Sequence, residues 1–430
     1  MAEPQHVQAP QGQFGTRDYA RLKLAESGDA DVVQVRCADH YLSRCQQFAA
    51  TGRYQLLPSL AWSALEIDNI RAVLRACIDG GDFPRALGMA TALIWYWITR
   101  ATTEGVRWLD EVLAGPVAQP WTCFARGFLS VLLNDPDAAT RALERGVAMA
   151  RAAGLPDMLS QSLAMASIAA TMSGDRASAQ RLLDEARTIA AGLNDLGATL
   201  MTHQAQALNG LVDGDLVTAA ASAAEGARLS RDAGDLYSLG MMLMNQGYAA
   251  LLSGAVRDAE KWLAEGLRIA RQIDDRVAQC YLVGALGCRA AADEEPRTAA
   301  ELLGAMENLR AEIGAGVHPS MAPALARATR SATAALGAAT FGSSHDAGRR
   351  LGWDAAVRLA LRETAAGAPP VASDPGVLSR RRPGLTSNHP PYRRRPTPIP
   401  VCFCRPGHAG QTQHCANVWV RISRNPRYRG

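Results

Sequence analysis

LYSLGMMLMNQGYAALLSGAVRDAEKWLAEGLRIARQID, residues 236–274, reads as two helices joined by a tight turn. Leu239, Leu243, Gly247, Ala250 and Leu251 recur at three- and four-residue spacing, the period of an apolar helical stripe. That stripe stops at Ser253-Gly254, where a glycine can take the left-handed conformation that closes a helix without a Cβ clash. A second stripe follows through Ala259, Trp262, Leu263, Gly266, Ile269 and Ala270. Gly247, Ala259 and Gly266 are small enough to let the helices approach closely. One hairpin cannot bury its stripe alone, so the pattern predicts further hairpins stacked into a superhelix.

Laid on itself at an offset of 40, the chain supplies those neighbours. Asn134, Gly174, Gly214, Gly254 and Glu294 share one position, and Gly154, Asn194, Gly234, Asp274 and Gly314 mark a second turn. Ala139, Ala179, Ala219, Ala259 and Ala299 form a small-residue rung, as do Gly127, Ser167, Ala207, Gly247 and Gly287. Leu143, Leu183, Ala223, Leu263 and Leu303 form an apolar one. A generic alanine-rich bundle has no reason to keep a fixed period. The expected fold class is therefore all-α, a helical-hairpin superhelix, with the periodic array over residues 121–315.

Composition agrees. Of 430 residues, 48% are apolar but only 6% aromatic, so the core must be built from Ala and Leu, which suit close-packed helices. Net charge is +4, yet residues 376–430 carry 11 arginines and no acid, leaving −7 on the remainder. Lys23 and Lys261 are the only lysines and neither follows a glycine, which excludes a Walker A phosphate loop. Nine cysteines without a Cys-x-x-Cys pair suit a reducing compartment, and residues 1–15 lack the apolar run of a signal peptide. The expected location is cytoplasmic.

The repeat, with small residues at the helix crossings and an Asp or Gly turn, resembles the tetratricopeptide repeat. Its 40-residue units are longer than the usual length of about 34 and look like the MalT-like sensor arrays of bacterial regulators. The flanks carry a second resemblance. TRDYARLKLAESGDADVVQVRCADHYLSRC (residues 16–45), EIDNIRAVL (66–74) and ALIWYWITRATTEGVRWLDEVLAG (92–115) are similar to the junction between ATPase module and helical array in actinobacterial LuxR-family regulators of the signal-transduction ATPase type. Tyr19, Ala20, residues 23–28, Ala30, Asp31, Val33, Arg36, His40, Tyr41 and Leu42 match the first family string. Glu66, residues 68–71, Trp97, Glu104, Gly105 and residues 107–109 match the next two. FGSSHDAGRRLGWDAAVRLALRE (341–363) is similar to that family's last array helices. The resemblance implies a protein-, peptide- or effector-binding region of a LuxR-type transcriptional regulator.

Two departures qualify the resemblance. The ATPase module should precede Thr16, where only a largely polar stretch of fifteen residues stands, so ATP hydrolysis is not expected. Near residue 374 the chain reaches what looks like the opening of the family's DNA-binding domain, then turns to RRPGLTSNHPPYRRRPTPIPVCFCRPGHAGQTQHC. Prolines every few residues forbid a recognition helix. The expectation is a DNA reader replaced through frameshift or degeneration, which sequencing the gene would test. The resulting division is a disordered N-terminus (1–15), a helical region resembling the winged-helix end and array start (16–120), the repeats (121–315), capping helices (316–368) and a disordered Arg/Pro-rich tail (369–430).

No catalytic motif, cofactor or metal site is expected. Cys402, Cys404, His408, His414 and Cys415 hold thiolate and imidazole groups, but their spacing matches no common zinc finger. His40, His203, His318 and His345 stand beside no activating motif, with His203 read as a helix-face residue. Trp95, Trp97 and Trp108 are read as core, Asp68 and Asn69 as caps or partners of buried backbone, and Glu104, Arg107 and Asp110 as a solvated face. The expected partner groove is the concave face made by the first helix of each hairpin. Its candidate residues are Gln161, Ile168, Met201, Gln204, Leu208, Met241, Met244, Tyr248 and Tyr281, an apolar, methionine-rich lining suited to a peptide, an amphipathic helix or a small effector. No membrane partner is expected. The alternative is a DNA-binding regulator acting through the basic tail or a partner chain, where arginine–phosphate contacts alone would give weak, salt-sensitive binding.

Overall fold

The computed structural model describes residues 23–24 and 26–363, and among them there are helices and no strand. Residues 1–15, the basic tail from residue 369 and its Cys/His cluster lie outside the described residues. Among the described residues from Ala30 onward, five helices precede the ladder: α1 (Ala30–Thr51), α2 (Leu56–Asp79), α3 (Phe83–Ala92), α4 (Ile94–Arg100) and α5 (Thr102–Leu113). Five hairpins form it. They are α6 (Pro120–Leu132) with α7 (Pro136–Ala152), α8 (Pro156–Met172) with α9 (Arg176–Ala191), α10 (Leu196–Asp213) with α11 (Leu216–Ala233), α12 (Leu236–Leu252) with α13 (Val256–Gln272), and α14 (Arg276–Ala292) with α15 (Pro296–Ile313). Helices α16 (Ala322–Leu336), α17 (Ala338–Arg349) and α18 (Trp353–Ala360) close the far end.

The period governs the backbone itself. The first helices α8, α10, α12 and α14 begin at residues 156, 196, 236 and 276, and the second helices at 136, 176, 216, 256 and 296. The turn rung is left-handed throughout, with φ of 60° at Asn134, 81° at Gly174, 82° at Gly214, 84° at Gly254 and 59° at Glu294. At the second turn Gly154, Gly234, Asp274 and Gly314 are left-handed while Asn194 is not. Aspartates then start the helices. Asp135, Asp175, Asp195, Asp215, Asp235 and Asp275 each accept from the backbone N–H three residues on, at 2.7–3.1 Å. Each such cap contributes about 1 kcal/mol.

Two rungs meet inside the hairpins. A Cβ on Gly127 would stand 2.4 Å from Leu143 Cγ, and one on Gly247 would stand 2.5 Å from Leu263 Cδ2, so glycine lets the facing leucine fill the crossing. The last hairpin is capped more closely still. Gly304 of α15 and Gly348 of α17 bring backbone against backbone: a Cβ on Gly348 would lie 1.9 Å from the Glu301 carbonyl oxygen.

Several residues of the N-terminal helices do other work than their sequence context suggests. Asp68 and Asn69 lie mid-helix in α2 and are exposed, so they neither cap a helix nor serve buried backbone. Asn69 donates to Glu66 at 2.9 Å, and Asp68 accepts from Arg71 at 2.8 Å. Glu104 does not lie on a solvated face but is half-buried. Both its oxygens take the Arg71 guanidinium, one at 2.7 Å, and Trp108 Nε1 donates to it at 3.0 Å, tying α5 to α2. Arg107 and Asp110 are exposed, Asp110 accepting from Arg126. Trp97 is fully buried and donates to the Ala90 carbonyl at 2.8 Å.

The array closes on itself. Gly316 N–H donates to the Leu133 carbonyl at 3.2 Å, and Asn134 Nδ2 to the Val317 carbonyl at 3.1 Å, joining the first hairpin to the segment after the fifth. Thr103 donates to the Ile313 carbonyl at 3.0 Å. Arg100 pairs with Asp274 at 3.3 Å and Arg53 with Asp235 at 2.6 Å, so the N-terminal helices are fastened to the third and fourth turns of the ladder. No helix among the described residues is long and apolar enough to cross a membrane.

Candidate functional site

Closure converts the concave face into a cavity of about 90 Å³. Its ladder residues come from the first helices and the turns beside them, since the second helices pack outside. Helix α6 contributes Phe128, Val131 and Leu132; α8 contributes Met165, Ile168, Thr171 and Met172; α10 contributes Leu200, Met201, Gln204, Leu208, Asn209 and Val212. Helix α12 adds Tyr237, Ser238, Met241, Met242 and Met244, and α14 adds Val277, Ala278 and Tyr281, with its cap Asp275. The flanks complete the wall with Arg53, Trp95, His318 and Pro319.

Seven of the nine residues expected to line the groove meet here: Ile168, Met201, Gln204, Leu208, Met241, Met244 and Tyr281. Gln161 does not. It is buried between α8 and α10, where its side-chain oxygen faces Gly197. Tyr248 is also displaced: it is fully buried behind His318, whose ring lies 5.9 Å from its own, and lines a separate void of about 10 Å³. Trp95, read as core, stands at the cavity wall, edge-on to Tyr237 at 5.7 Å. His203 is half-buried in α10 with no partner at Nδ1, and that burial lowers its pKa.

Few polar groups break the apolar lining, and most are already engaged. Gln204 Oε1 accepts from the buried Asn245 at 2.9 Å, and Asn209 Oδ1 accepts from Thr171 at 2.8 Å. Tyr281 Oη donates toward the carbonyls of Gly316 and Leu132 at 3.2 and 3.3 Å, so it belongs to the closure. His318 shares a hydrogen bond with Ser320 Oγ at 2.8 Å, and burial pushes its pKa down to about 4, which keeps the ring neutral. Tyr237 Oη is buried with no partner, and burial, with Asp275 and Asp235 nearby, raises its pKa well above the ordinary value. Asp275 is buried, and desolvation pushes its carboxyl up to about 7 despite the backbone N–H groups of Ala278 and Val277.

Sequence periodicity alone passes over Arg53, Trp95, Tyr237, Asp275 and His318. Phe128 was within reach, because it is the same 40-residue position as Ile168 and Leu208. Among the described residues no group of three or more His, Cys, Asp or Glu side chains is arranged to hold a metal ion.

No family model matches the chain. A stretch of 100 residues, 23% of this chain, is 36% identical to proteins named "Putative HTH-type transcriptional regulator" in Mycobacterium bovis and in two strains of Mycobacterium tuberculosis, CDC 1551 and H37Rv. The match covers 11% of each relative, so the chain spans about a tenth of the length of the curated relatives it matches.

Proposed function

We propose that this chain is the effector-sensing helical array of a transcriptional regulator of the LuxR type, built on tetratricopeptide-like hairpins, and that its effector is a small, largely apolar molecule. It acts by binding rather than by catalysis. The observation that carries the reading is the cavity itself: the inner faces of five consecutive hairpins converge on it, and segments from both flanks are hydrogen-bonded across its rim. A helix is about 10–12 Å across with its side chains and needs an open groove to lie in, whereas here segments from both flanks cross the rim. Of a peptide, an amphipathic helix and a small effector, the last therefore fits. The methionines at 165, 172, 201, 241, 242 and 244 give a lining that adapts its shape at little cost. The partial likeness to regulators supports a role in transcription control.

A cavity bridged at its rim also offers a way to signal. A ligand that binds the closed array more tightly than an open one shifts the population toward closure, to the extent of that differential affinity. The contacts at stake are Arg53–Asp235, Arg100–Asp274 and Asn134–Val317.

The test is titration of the full chain with N-phenyl-1-naphthylamine, a neutral apolar dye that fluoresces out of water. Saturable one-to-one binding is expected, lost in Met241→Trp, which fills the cavity, while the helical circular dichroism is retained. A folded protein that shows no saturable binding, or a Met241→Trp variant that binds as well as the parent, would overturn the proposal.

A further inference from the structure

Asp235 and Asp275 occupy the same position in consecutive repeats, 40 residues apart. Both cap a first helix through the backbone N–H three residues on, at 3.0 and 2.9 Å, and both are buried, with 1% and 3% of their surface exposed. They differ in what neutralises them. Asp235 receives the guanidinium of Arg53, which reaches it from outside the ladder at 2.6 Å. Asp275 has no arginine or lysine of the described residues in ion-pair contact. The arginines beside it are engaged elsewhere, Arg100 and Arg276 both on Asp274, at 3.3 and 2.7 Å.

At Asp235 the chain shows how such a carboxylate is satisfied. Arg53 does so while its guanidinium carbon lies 5.7 Å from the centre of the Trp95 ring, so a cation is held between a buried acid and an aromatic face. Around Asp275 the cavity repeats those components without the cation. Trp95, Phe128, Tyr237 and Tyr281 line it, and Tyr237 contacts the rings of Trp95 and Phe128 at 5.7 and 6.3 Å. The Tyr237 hydroxyl, buried and unpartnered, supplies a further polar atom. With Arg53 matched by Asp235 and His318 neutral, an ionised Asp275 leaves the cavity one negative charge in excess.

We infer that the cavity takes an organic cation, an amine or quaternary ammonium carrying apolar or aromatic groups, with Asp275 as its counter-charge and the Trp95–Tyr237–Phe128 wall as its aromatic face. This rests on the cavity being an effector site and adds the chemical class of the effector. An ionised acid in so dry a place is costly unless paired, and the pairing raises the affinity for cations over neutral molecules of the same shape. An anionic effector would meet Asp275 directly, and Arg53 is not free to receive it.

The experiment compares benzyltrimethylammonium with its neutral isostere neopentylbenzene, each competing with N-phenyl-1-naphthylamine on the full chain. The cation should bind about tenfold more tightly or better, as one desolvated charge pair or cation–π contact supplies. Asp275→Asn keeps a side chain able to cap the helix, so the fold should hold. In that variant the preference for the cation should fall to about one while the isostere binds as before. If the isostere matches the cation in the parent chain, or Asp275→Asn leaves the preference intact, the inference is overturned and the effector reading stands. If neither compound nor the dye binds the folded chain, both fall together.

Discussion

Arg53 and Asp235, 182 residues apart in sequence, are joined by a 2.6 Å ion pair in which the carboxylate is wholly buried and the arginine one-fifth exposed. The pair connects the α1–α2 turn to the start of α12, and Ser238 donates to the same carboxylate through Oγ at 2.7 Å. Removing one partner of such a pair leaves a buried charge without compensation, which costs more than the pair itself is worth. Arg53→Ala should therefore destabilise the chain by about 3 kcal/mol, read as a lower urea midpoint. Arg53→Ala with Asp235→Asn should recover most of the loss, because the amide can still cap α12. A double variant no more stable than Arg53→Ala would show that the loss came from contacts other than the charge.

Two glycines separate steric from conformational demand. At Gly214, with φ of 82°, a Cβ meets nothing within 4 Å, so Gly214→Ala should cost only about 1–2 kcal/mol, the strain of a left-handed residue. At Gly348 the added carbon would lie 1.9 Å from the Glu301 carbonyl oxygen, and a backbone atom of a helix cannot step aside. Gly348→Ala should prise α17 from α15 and expose Gly304 and its surroundings. Hydrogen exchange would show faster amides over 296–349 in this variant alone. Equal, small effects from both substitutions would refute the backbone contact.

Arg71 and Glu104 are worth a similar test, since their pairing ties α5 to α2. Glu104 is half-buried, and although burial alone would raise its carboxyl, the hydrogen bonds from Arg71 and Trp108 with the neighbouring arginine charges hold it below its usual range. The arginine is more than a third exposed, so solvent screens part of the interaction. A double-mutant cycle of Arg71→Met and Glu104→Gln should return a coupling of about 1–2 kcal/mol. A coupling near zero would leave the pair no part in fastening α5 to α2.

The ladder was legible because each rung has a local cause: a left-handed turn needs glycine or a short polar residue, and a helix crossing needs a small one. Read at offset 40, Gln161, Met201, Met241 and Tyr281 are one rung, and Ile168, Leu208 and Tyr248 another. Extending the second rung backward by one repeat gives Phe128, a cavity residue. The rungs could not give the closure. Arg53, Trp95 and His318 arrive from outside the period, and nothing local to them encodes their partners. His318 also explains why Tyr248 is off the cavity: the strap that carries it passes between them. Asp275, next to the turn residue Asp274, belonged to none of the rungs read from the sequence. Its distinction from Asp235 lies in which arginine reaches it, a long-range fact.

Two titratable cavity residues, His318 and Asp275, give opposed pH responses, and that opposition can be taken apart. Burial lowers the pKa of His318 from 6.5 to about 4, so between those values the unfolded chain binds a proton that the folded chain refuses. Its contribution is present above pH 6.5 and is lost as pH falls toward 4. Asp275 behaves in reverse. Its carboxyl is raised from 3.8 to about 7, so the folded chain holds a proton that the unfolded chain releases, and its contribution is present below pH 4 and lost as pH rises through 7. His203, also lowered by burial, adds to the His318 direction, whereas the lowered carboxylates Glu104, Glu111 and Glu363 begin to lose their contribution only near their ordinary value of 4.5, at the acid end of the range and alike in all three chains. Asp275→Asn should therefore lose about 3 kcal/mol between pH 6.5 and 4. His318→Gln should gain about as much on acidification from pH 7 to 4. The parent, in which the two offset each other, should be flatter than either. Urea unfolding of all three at pH 7, 6, 5 and 4 makes the comparison. Parallel profiles would mean that neither residue changes its protonation on folding.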